Sequence, residues 1–199
     1  SFGRPRETQL FYSRRIGLGS GGVPVDLPFG ARVQGRLGSN QIGLLAVRTG
    51  DGEDATDLVA RVRHDVLGRG FVGAMGTFSD RPVRPGAIAG GVDFEFPLII
   101  RQRDNLIFLG NAGFSRDSVG GAEGAHYRFV VDYPNDHADI VARFDRIEAG
   151  YNPALGFVSQ RGIDRLAGQI SLTPRPKGPS IVRRWEFSVL EYNVVRAIG

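Results

Sequence analysis

The segment Thr56–Asp80 alternates between apolar and charged residues over most of its length. Leu58, Ala60 and Val62 would point to one side of an extended strand, because successive side chains of a strand face opposite ways. Arg61, Arg63 and Asp65 would point to the other side. The turn Gly68–Gly70 follows, and its glycines permit the positive φ values that tight hairpins require. The segment therefore predicts a β-hairpin with one apolar and one charged face.

The same two-residue period continues through the chain in segments of about ten residues separated by turn residues. The predicted strands, about eleven in all, cover approximately residues 10–16, 31–37, 42–48, 56–67, 71–78, 88–98, 106–114, 125–133, 138–145, 157–173 and 181–195. Short connections near residues 38, 68, 102, 134 and 176 alternate with longer ones near 22, 52, 83, 120 and 152. No segment has the period of a sizeable helix.

This pattern predicts one all-β domain over residues 1–199, built as an antiparallel up-and-down transmembrane β-barrel or as part of a larger barrel. Outer-membrane barrels combine strands of about 9–11 residues with short turns at one end, long loops at the other and a polar lumen. A soluble barrel or sandwich also alternates but keeps its apolar face inside, so alternation alone leaves both architectures open. The ordered succession of short and long connections favours the membrane.

The two faces of the predicted strands have different expected surroundings. The apolar row is expected on the outside and includes Leu58, Val62, Val92, Phe94, Phe96, Phe108, Phe129, Ile140 and Phe144. The charged row is expected to line the lumen and to set its polarity. It includes Arg32, Arg36, Arg61, Arg63, Asp93, Glu95, Arg128, Asp132, Asp139, Arg143 and Asp145.

The composition weighs against several other classes of protein. A hydrophobic share of 41% argues against disorder, and no run approaches the roughly 18 apolar residues of a spanning helix. The net charge of +4 comes almost entirely from arginine, because Lys177 is the only lysine. These arginines alternate with apolar and acidic residues, so we expect no nucleic-acid partner. This high arginine content is explained either by a charged pore wall or by a GC-rich source genome, whose codons favour arginine.

The sequence carries no recognisable catalytic or cofactor motif. Gly17, Gly19 and Gly22 match a dinucleotide-binding spacing, but prolines follow them where that fingerprint needs a helix. Asp93 and Glu95 would lie roughly 7 Å apart on one strand face, which suits an inverting glycosidase only loosely. Metal-ligand spacing is missing among the histidines, which are His64, His126 and His137. We therefore predict no catalytic residue, no metal and no cofactor.

Five segments of the chain resemble one protein family. They are Leu10–Gly17, Ala31–Gly50, Val62–Met75, Asn152–Ile163 and Ile181–Phe187, and they occur in the family's order. The family is the uncharacterised outer-membrane β-barrel domain that usually follows a family-9-like carbohydrate-binding module. This resemblance implies that the barrel is the C-terminal part of a longer protein with a periplasmic sugar-binding-like module before it. The family supplies no catalytic residues to transfer.

These observations predict a bacterial outer-membrane protein that serves as a channel, docking or anchoring element associated with carbohydrate binding or uptake. Its expected partners are outer-membrane lipid, an oligosaccharide or other small solute, and other envelope proteins. Two alternatives stay open. One is a glycan-active hydrolase with its site in the outer loops or in a missing N-terminal module, and the other is a soluble ligand-binding β-barrel.

The strand count also predicts that the chain belongs to a larger barrel. The first predicted strand, Leu10–Ile16, and the last, from Ile181 to about Val195, would both run outward from the periplasm. Single-chain bacterial barrels normally have an even number of strands, and an open edge in lipid leaves backbone groups unpaired. We therefore expect further strands after Gly199 and a module before Ser1.

Overall fold

The computed structural model of the chain is all-β. It describes residues 8–19, 22–50, 54–82, 84–100, 104–118, 121, 123–174 and 185–198. A single 3₁₀ turn lies at Ser13–Arg15. Within the same ranges, no helix is long and apolar enough to cross a membrane.

Ten antiparallel strands form the principal sheet, and strands that follow each other in this sheet pair with each other. They are β2 (Phe29–Leu37), β3 (Asn40–Thr49), β4 (Ala55–Val66), β5 (Gly70–Arg81), β6 (Arg84–Ile100), β7 (Asp104–Arg116), β8 (Glu123–Pro134), β9 (Ala138–Ile147), β11 (Ile163–Leu172) and β12 (Phe187–Ala197). Strands β1 (Thr8–Gln9) and β10 (Phe157–Val158) form a separate pair. This confirms the antiparallel up-and-down arrangement. The described strands β2 and β12 do not pair with each other, so the sheet is open.

The register assigns alternate residues to two faces of this sheet. Leu58 of β4 lies opposite Phe78 of β5, which lies opposite Ile88 of β6, and this row belongs to the apolar face. The next row, which contains Asp57 and Ser79, belongs to the opposite face, which we call the polar face. All nine residues expected in the outward apolar row lie on the apolar face.

The apolar face is the more exposed of the two. Val92 is 56% exposed and Phe129 is 45% exposed, and most other large side chains of this face are similarly open. Phe94 is less exposed than these residues, because its ring packs on those of Phe96 and Phe129, at centroid distances of 5.4 and 6.4 Å. The described strands therefore place the apolar row on one face, where its side chains are exposed or partly exposed.

Three aromatic rings of the apolar face lie over glycines directly opposite them in the register. These pairs are Gly90 with Phe114, Gly110 with Phe94, and Gly168 with Tyr192. A Cβ built on Gly110 would come within 2.9 Å of the Phe94 ring, and one built on Gly168 within 2.6 Å of the Tyr192 ring. Glycine at these positions therefore lets the neighbouring ring lie flat against the strand.

The buried apolar core is small and lies on the polar face. Leu10 and Leu155, which are both outside the principal sheet, pack on Val59, Met75 and Ala89 of β4, β5 and β6. A second cluster joins Tyr151 to the ends of β9 and β11. The sheet thus covers part of its polar face with chain segments and leaves its apolar face open.

The predicted strand at Leu10–Ile16 is wrong. Only Thr8–Gln9 are extended and paired there, and the 3₁₀ turn follows them. The backbone N–H of Tyr12 donates to Leu155 O at 2.7 Å, so this segment pairs with a distant connection instead of a sheet neighbour. The principal sheet therefore has ten strands, and the odd strand count used to predict further strands does not hold.

The predicted long connection near residue 83 is also wrong. The polar segment 79–87 is mostly strand, because β5 continues to Arg81 and β6 begins at Arg84, which lies opposite it. Arg81 and Arg84 bind Asp57 and Asp117 at 2.7 Å, which holds the segment in the sheet. The predicted short connection near residue 176 lies outside the described residues, which stop at 174 and resume at 185. The predicted strand start at residues 181–184 lies outside the described residues.

Candidate functional site

All eleven charged residues expected in the lumen lie on the polar face of the sheet. One group occupies β2, β4 and β6 and consists of Arg32, Arg36, Arg61, Arg63, Asp93 and Glu95. The other occupies β8 and β9 and consists of Arg128, Asp132, Asp139, Arg143 and Asp145. Strand β7 separates the two groups. In this open sheet they share a face, and the described strands do not close it into a lumen.

A cap covers the polar face at one end of the sheet. We define the cap as residues 8–16 and 148–162. The end of the sheet at which β9 stops and β11 begins is called the loop end. The two parts of the cap join through β1 and β10, with Thr8 opposite Val158 and Gln9 opposite Phe157. Leu10 and Leu155 of the cap are fully buried between it and the sheet. Their burial holds the cap against the sheet mainly by removing apolar surface from water.

Polar contacts fix the cap to several strands at once. The backbone N–H of Asn152 donates to Ser115 Oγ at 2.7 Å, and the backbone N–H of Ala125 donates to Glu148 Oε2 at 2.7 Å. Arg81 reaches the chain just beyond the cap, since its Nη1 donates to Leu18 O at 2.8 Å. Such bonds to otherwise buried backbone groups stabilise one docked position of the cap.

A buried charged cluster lies at the β8–β9 pair. Arg128 Nε donates to Asp145 Oδ1, and Arg143 Nε lies 3.0 Å from Asp145 Oδ2. Arg128 and Asp145 are almost inaccessible to solvent. One carboxylate thus faces two guanidinium groups in a region with little water, where removing the Asp145 carboxylate would leave two uncompensated positive charges.

His126 and Tyr151 lie beside this cluster at the loop end. Their ring centroids are 5.5 Å apart, and both residues are buried. Burial raises the pKa of the Tyr151 hydroxyl above its ordinary value, because a phenolate would be poorly solvated there. The hydroxyl of this cap residue therefore stays protonated throughout the physiological range.

The polar face stays open at the other end of the sheet, which we call the turn end. A cavity of about 610 Å³ lies there over β2–β5 and is lined by side chains that include Gln34, Arg36, Gln41, Arg61, Arg63 and Phe71. Arg36 Nη2 and Arg63 Nε bind the same carboxylate, that of Asp65, at 2.8 and 3.1 Å. The Arg63 guanidinium also lies 3.9 Å from the centre of the Phe71 ring.

Arg61 and Asp93 form an ion pair across the intervening strand β5. Arg61 Nη2 lies 2.6 Å from Asp93 Oδ2, and both side chains are largely buried. Gly73 lies opposite Asp93, and a Cβ there would come within 2.4 Å of its carboxylate. Because Gly73 has no side chain, the Arg61–Asp93 ion pair can cross over β5 at this position.

The structure supplies no arrangement for acid–base or metal chemistry in its described residues. Asp93 is held by Arg61 instead of facing a second carboxylate, which argues against a role with Glu95 as a glycosidase pair. His64 Nδ1 lies 2.9 Å from Asn40 Oδ1 on the apolar face. Within the described residues, no three His, Asp or Glu side chains are grouped so that they could hold a metal ion.

The chain matches no described protein family, no curated protein and no solved structure. The resemblance to the outer-membrane family therefore stays a prediction that comes from the five sequence segments alone. Any function has to be argued from the two faces of the sheet, the cap and the open cavity.

Sequence reasoning missed the cap, including Tyr151, and the packing of His126 against it. Alternation placed the charged residues on one face, but Tyr151 lies in a predicted loop, where this argument does not apply. His126 was considered only as a metal ligand, for which it lacks suitably spaced partners. A usable signal was present in the segment 151–156, where Tyr151, Pro153 and Leu155 are apolar within a predicted loop. All three are buried in the structure.

Proposed function

We propose that this chain forms part of the wall of a transmembrane β-barrel in a bacterial outer membrane. One observation carries the proposal: the large apolar side chains lie on the more exposed face, whereas the opposite face holds the buried charges and the cap. Soluble sheet proteins pack such a face inside a core. A contiguous apolar surface of this extent is typical of contact with lipid or with another apolar surface.

The strand lengths support the same arrangement. Strands β4, β5 and β8 each have 12 residues, and β3, β9 and β11 each have 10. Tilted membrane strands need about 9–11 residues to cross the hydrocarbon core. The open edges of β2 and β12 would have to pair with further strands in lipid, since unpaired backbone groups there are costly.

In this arrangement the polar face borders water, and the cap occupies the space beside it at the loop end. The protein would then act as a channel, docking or anchoring element in the envelope, with an oligosaccharide or another small solute and other envelope proteins as partners. The link to carbohydrate binding or uptake is supported by the family resemblance of Leu10–Gly17 and the four segments that accompany it.

A soluble ligand-binding sheet is the second candidate, and one feature favours it. An apolar cavity of about 650 Å³ lies mostly along the apolar face, between Val33, Leu44, Leu58 and Phe114. In a soluble protein this cavity would hold an apolar ligand, whereas in a membrane protein lipid chains would fill it. No comparable feature of the described residues favours a glycan hydrolase.

Lipid contact can be tested with single cysteine labels, because the chain has no native cysteine. A fluorophore at Val62 or Val92 reports on the apolar face, and one at Gln34 or Asn193 reports on the polar face. After refolding into vesicles, nitroxide-bearing lipids should quench the apolar-face labels and aqueous iodide the polar-face labels. Equal iodide quenching on both faces, with the protein outside the vesicle fraction, would support the soluble candidate instead.

A further inference from the structure

The open part of the polar face carries more positive charge than its carboxylates neutralise. Besides the Arg81–Asp57 and Arg84–Asp117 ion pairs at the loop end, the charged residues on this face of β2–β6 give four positive and three negative charges. They are Arg32, Arg36, Arg61, Arg63, Asp65, Asp93 and Glu95. The residues that line the cavity itself include three of these arginines and no carboxylate. The acidic groups thus lie behind the arginines and hold them in place.

Two of the cavity arginines retain hydrogen-bond donors for a ligand. Arg36 uses Nε for Gly38 O and Nη2 for Asp65, and Arg63 uses Nε for Asp65. Among the described residues, the other Nη atoms of these two arginines have no protein acceptor. The side chains of Arg36 and Arg63 are 62% and 36% exposed, so both are reachable from the cavity.

The surroundings fix the Arg63 guanidinium in one plane. Its Nε is bound to Asp65, and Phe71 supports its face at 3.9 Å. A guanidinium held in this way loses little freedom when it binds a planar or tetrahedral oxyanion through two parallel N–H donors. Gln34 and Gln41 add carboxamide groups, which can donate to or accept from hydroxyl groups of a ligand.

We infer that this cavity, lined by Arg36, Arg61 and Arg63, binds a small anionic solute through a carboxylate, phosphate or sulfate group. Its volume of about 610 Å³ is in the range of sites for small molecules and suits a monosaccharide or disaccharide acid. The role of this site in passage or docking rests on the proposed function, whereas the binding chemistry does not. A neutral sugar would make the carboxamide contacts but not the guanidinium contacts.

Calorimetric titration of the refolded chain in detergent micelles tests this inference. The probes are D-glucuronate, inorganic phosphate and D-glucose, each at low and at high salt. D-glucuronate and phosphate should bind in competition, and D-glucose should bind at least tenfold more weakly. Arg63→Gln and the more exposed Arg36→Gln should each weaken D-glucuronate binding roughly tenfold, because each removes charge-assisted hydrogen bonds. Binding should also weaken as salt screens the arginines.

Arg161→Gln is the matched control, since it removes the same charge from an exposed position at the loop end. It should change the affinity less than twofold. Equal affinity for D-glucose and D-glucuronate, absence of binding by both anions, or an equal loss in the control would each overturn the inference. If Arg63→Gln fails to refold, the Arg36→Gln result decides.

The outcome separates this inference from the proposed function. Anion binding by a chain that does not insert into vesicles would remove the membrane proposal and leave the site. Insertion without anion binding would leave the membrane proposal and remove the site.

Discussion

A single arginine on the apolar face distinguishes lipid from water as the surroundings of this sheet. Val92 lies midway along β6, the longest strand, and its side chain is 56% exposed. Its register partners on the two neighbouring strands are Ala74 and Ala112, which are both small, so a longer side chain there can be accommodated. Val92→Arg therefore changes the chemistry of the surface with little effect on packing.

The two possible surroundings predict different costs. Near the middle of a bilayer an arginine on the lipid side of a barrel costs about 2–4 kcal/mol of unfolding free energy. This cost corresponds to about a 30- to 700-fold change in the folding equilibrium constant. At a half-exposed position in water, the same substitution is expected to stay within about 0.5 kcal/mol.

Reversible urea unfolding in lipid vesicles measures this difference. Asn193→Arg is the matched control, because it introduces arginine near the middle of β12 but on the polar face, at an exposed position. We expect a loss of about 2–4 kcal/mol for Val92→Arg and a change within about 0.5 kcal/mol for the control. Equal changes for both variants would refute the assignment of the apolar face to lipid.

Three further changes test the packing of the sheet and the cap. Gly110→Ala should lower the free energy of unfolding by about 1–3 kcal/mol, because its Cβ would lie 2.9 Å from the Phe94 ring. Gly76→Ala is the control, since a Cβ there would have no atom within 4 Å, and equal stability of the two variants would contradict the contact. Leu155→Ala should weaken cap docking by about 2–5 kcal/mol, because Leu155 is fully buried. Proteolysis within residues 148–162 should then become faster, whereas the control Leu37→Ala, at an exposed position, should leave the rate of proteolysis unchanged. An unchanged rate for Leu155→Ala would argue against a docked cap. Burial raises the pKa of Tyr151 above the value of 10 expected when the cap is undocked, so docking should be unaffected below pH 10 and should weaken above it. Tyr151→Phe should abolish this weakening at alkaline pH in the same proteolysis assay. If the weakening persists in Tyr151→Phe, other groups cause it.

The local part of the fold is readable from the sequence. Leu58 and Val62 were assigned to one face because strand geometry alternates side chains whatever the strand's neighbours are. The same argument placed Arg128 and Asp145 together on the other face, where they form an ion pair. Alternation gives the face of a residue but not its partner, since partners depend on the register between strands.

The remaining part depends on contacts between distant segments. Leu10–Ile16 has the composition of a short strand, but its backbone bonds to Leu155, and no local period encodes that pairing. Polar composition predicted a loop at 79–87, yet ion pairs with Asp57 and Asp117 hold the segment in the sheet. The cavity could not be predicted either, because it requires Arg36 and Arg63 to meet at Asp65.

The pairing of β1 with β10 also sets an order of assembly. Residues 8–16 precede every strand of the principal sheet along the chain, but their partners at 148–162 follow only after β9. Contacts between segments so far apart form slowly, because loop closure costs entropy before any contact is made. Hairpins such as β4–β5 can therefore form while the polar face is still hydrated. The cap closes late, and its closure is the step that withdraws Leu10, Tyr151 and Leu155 from water.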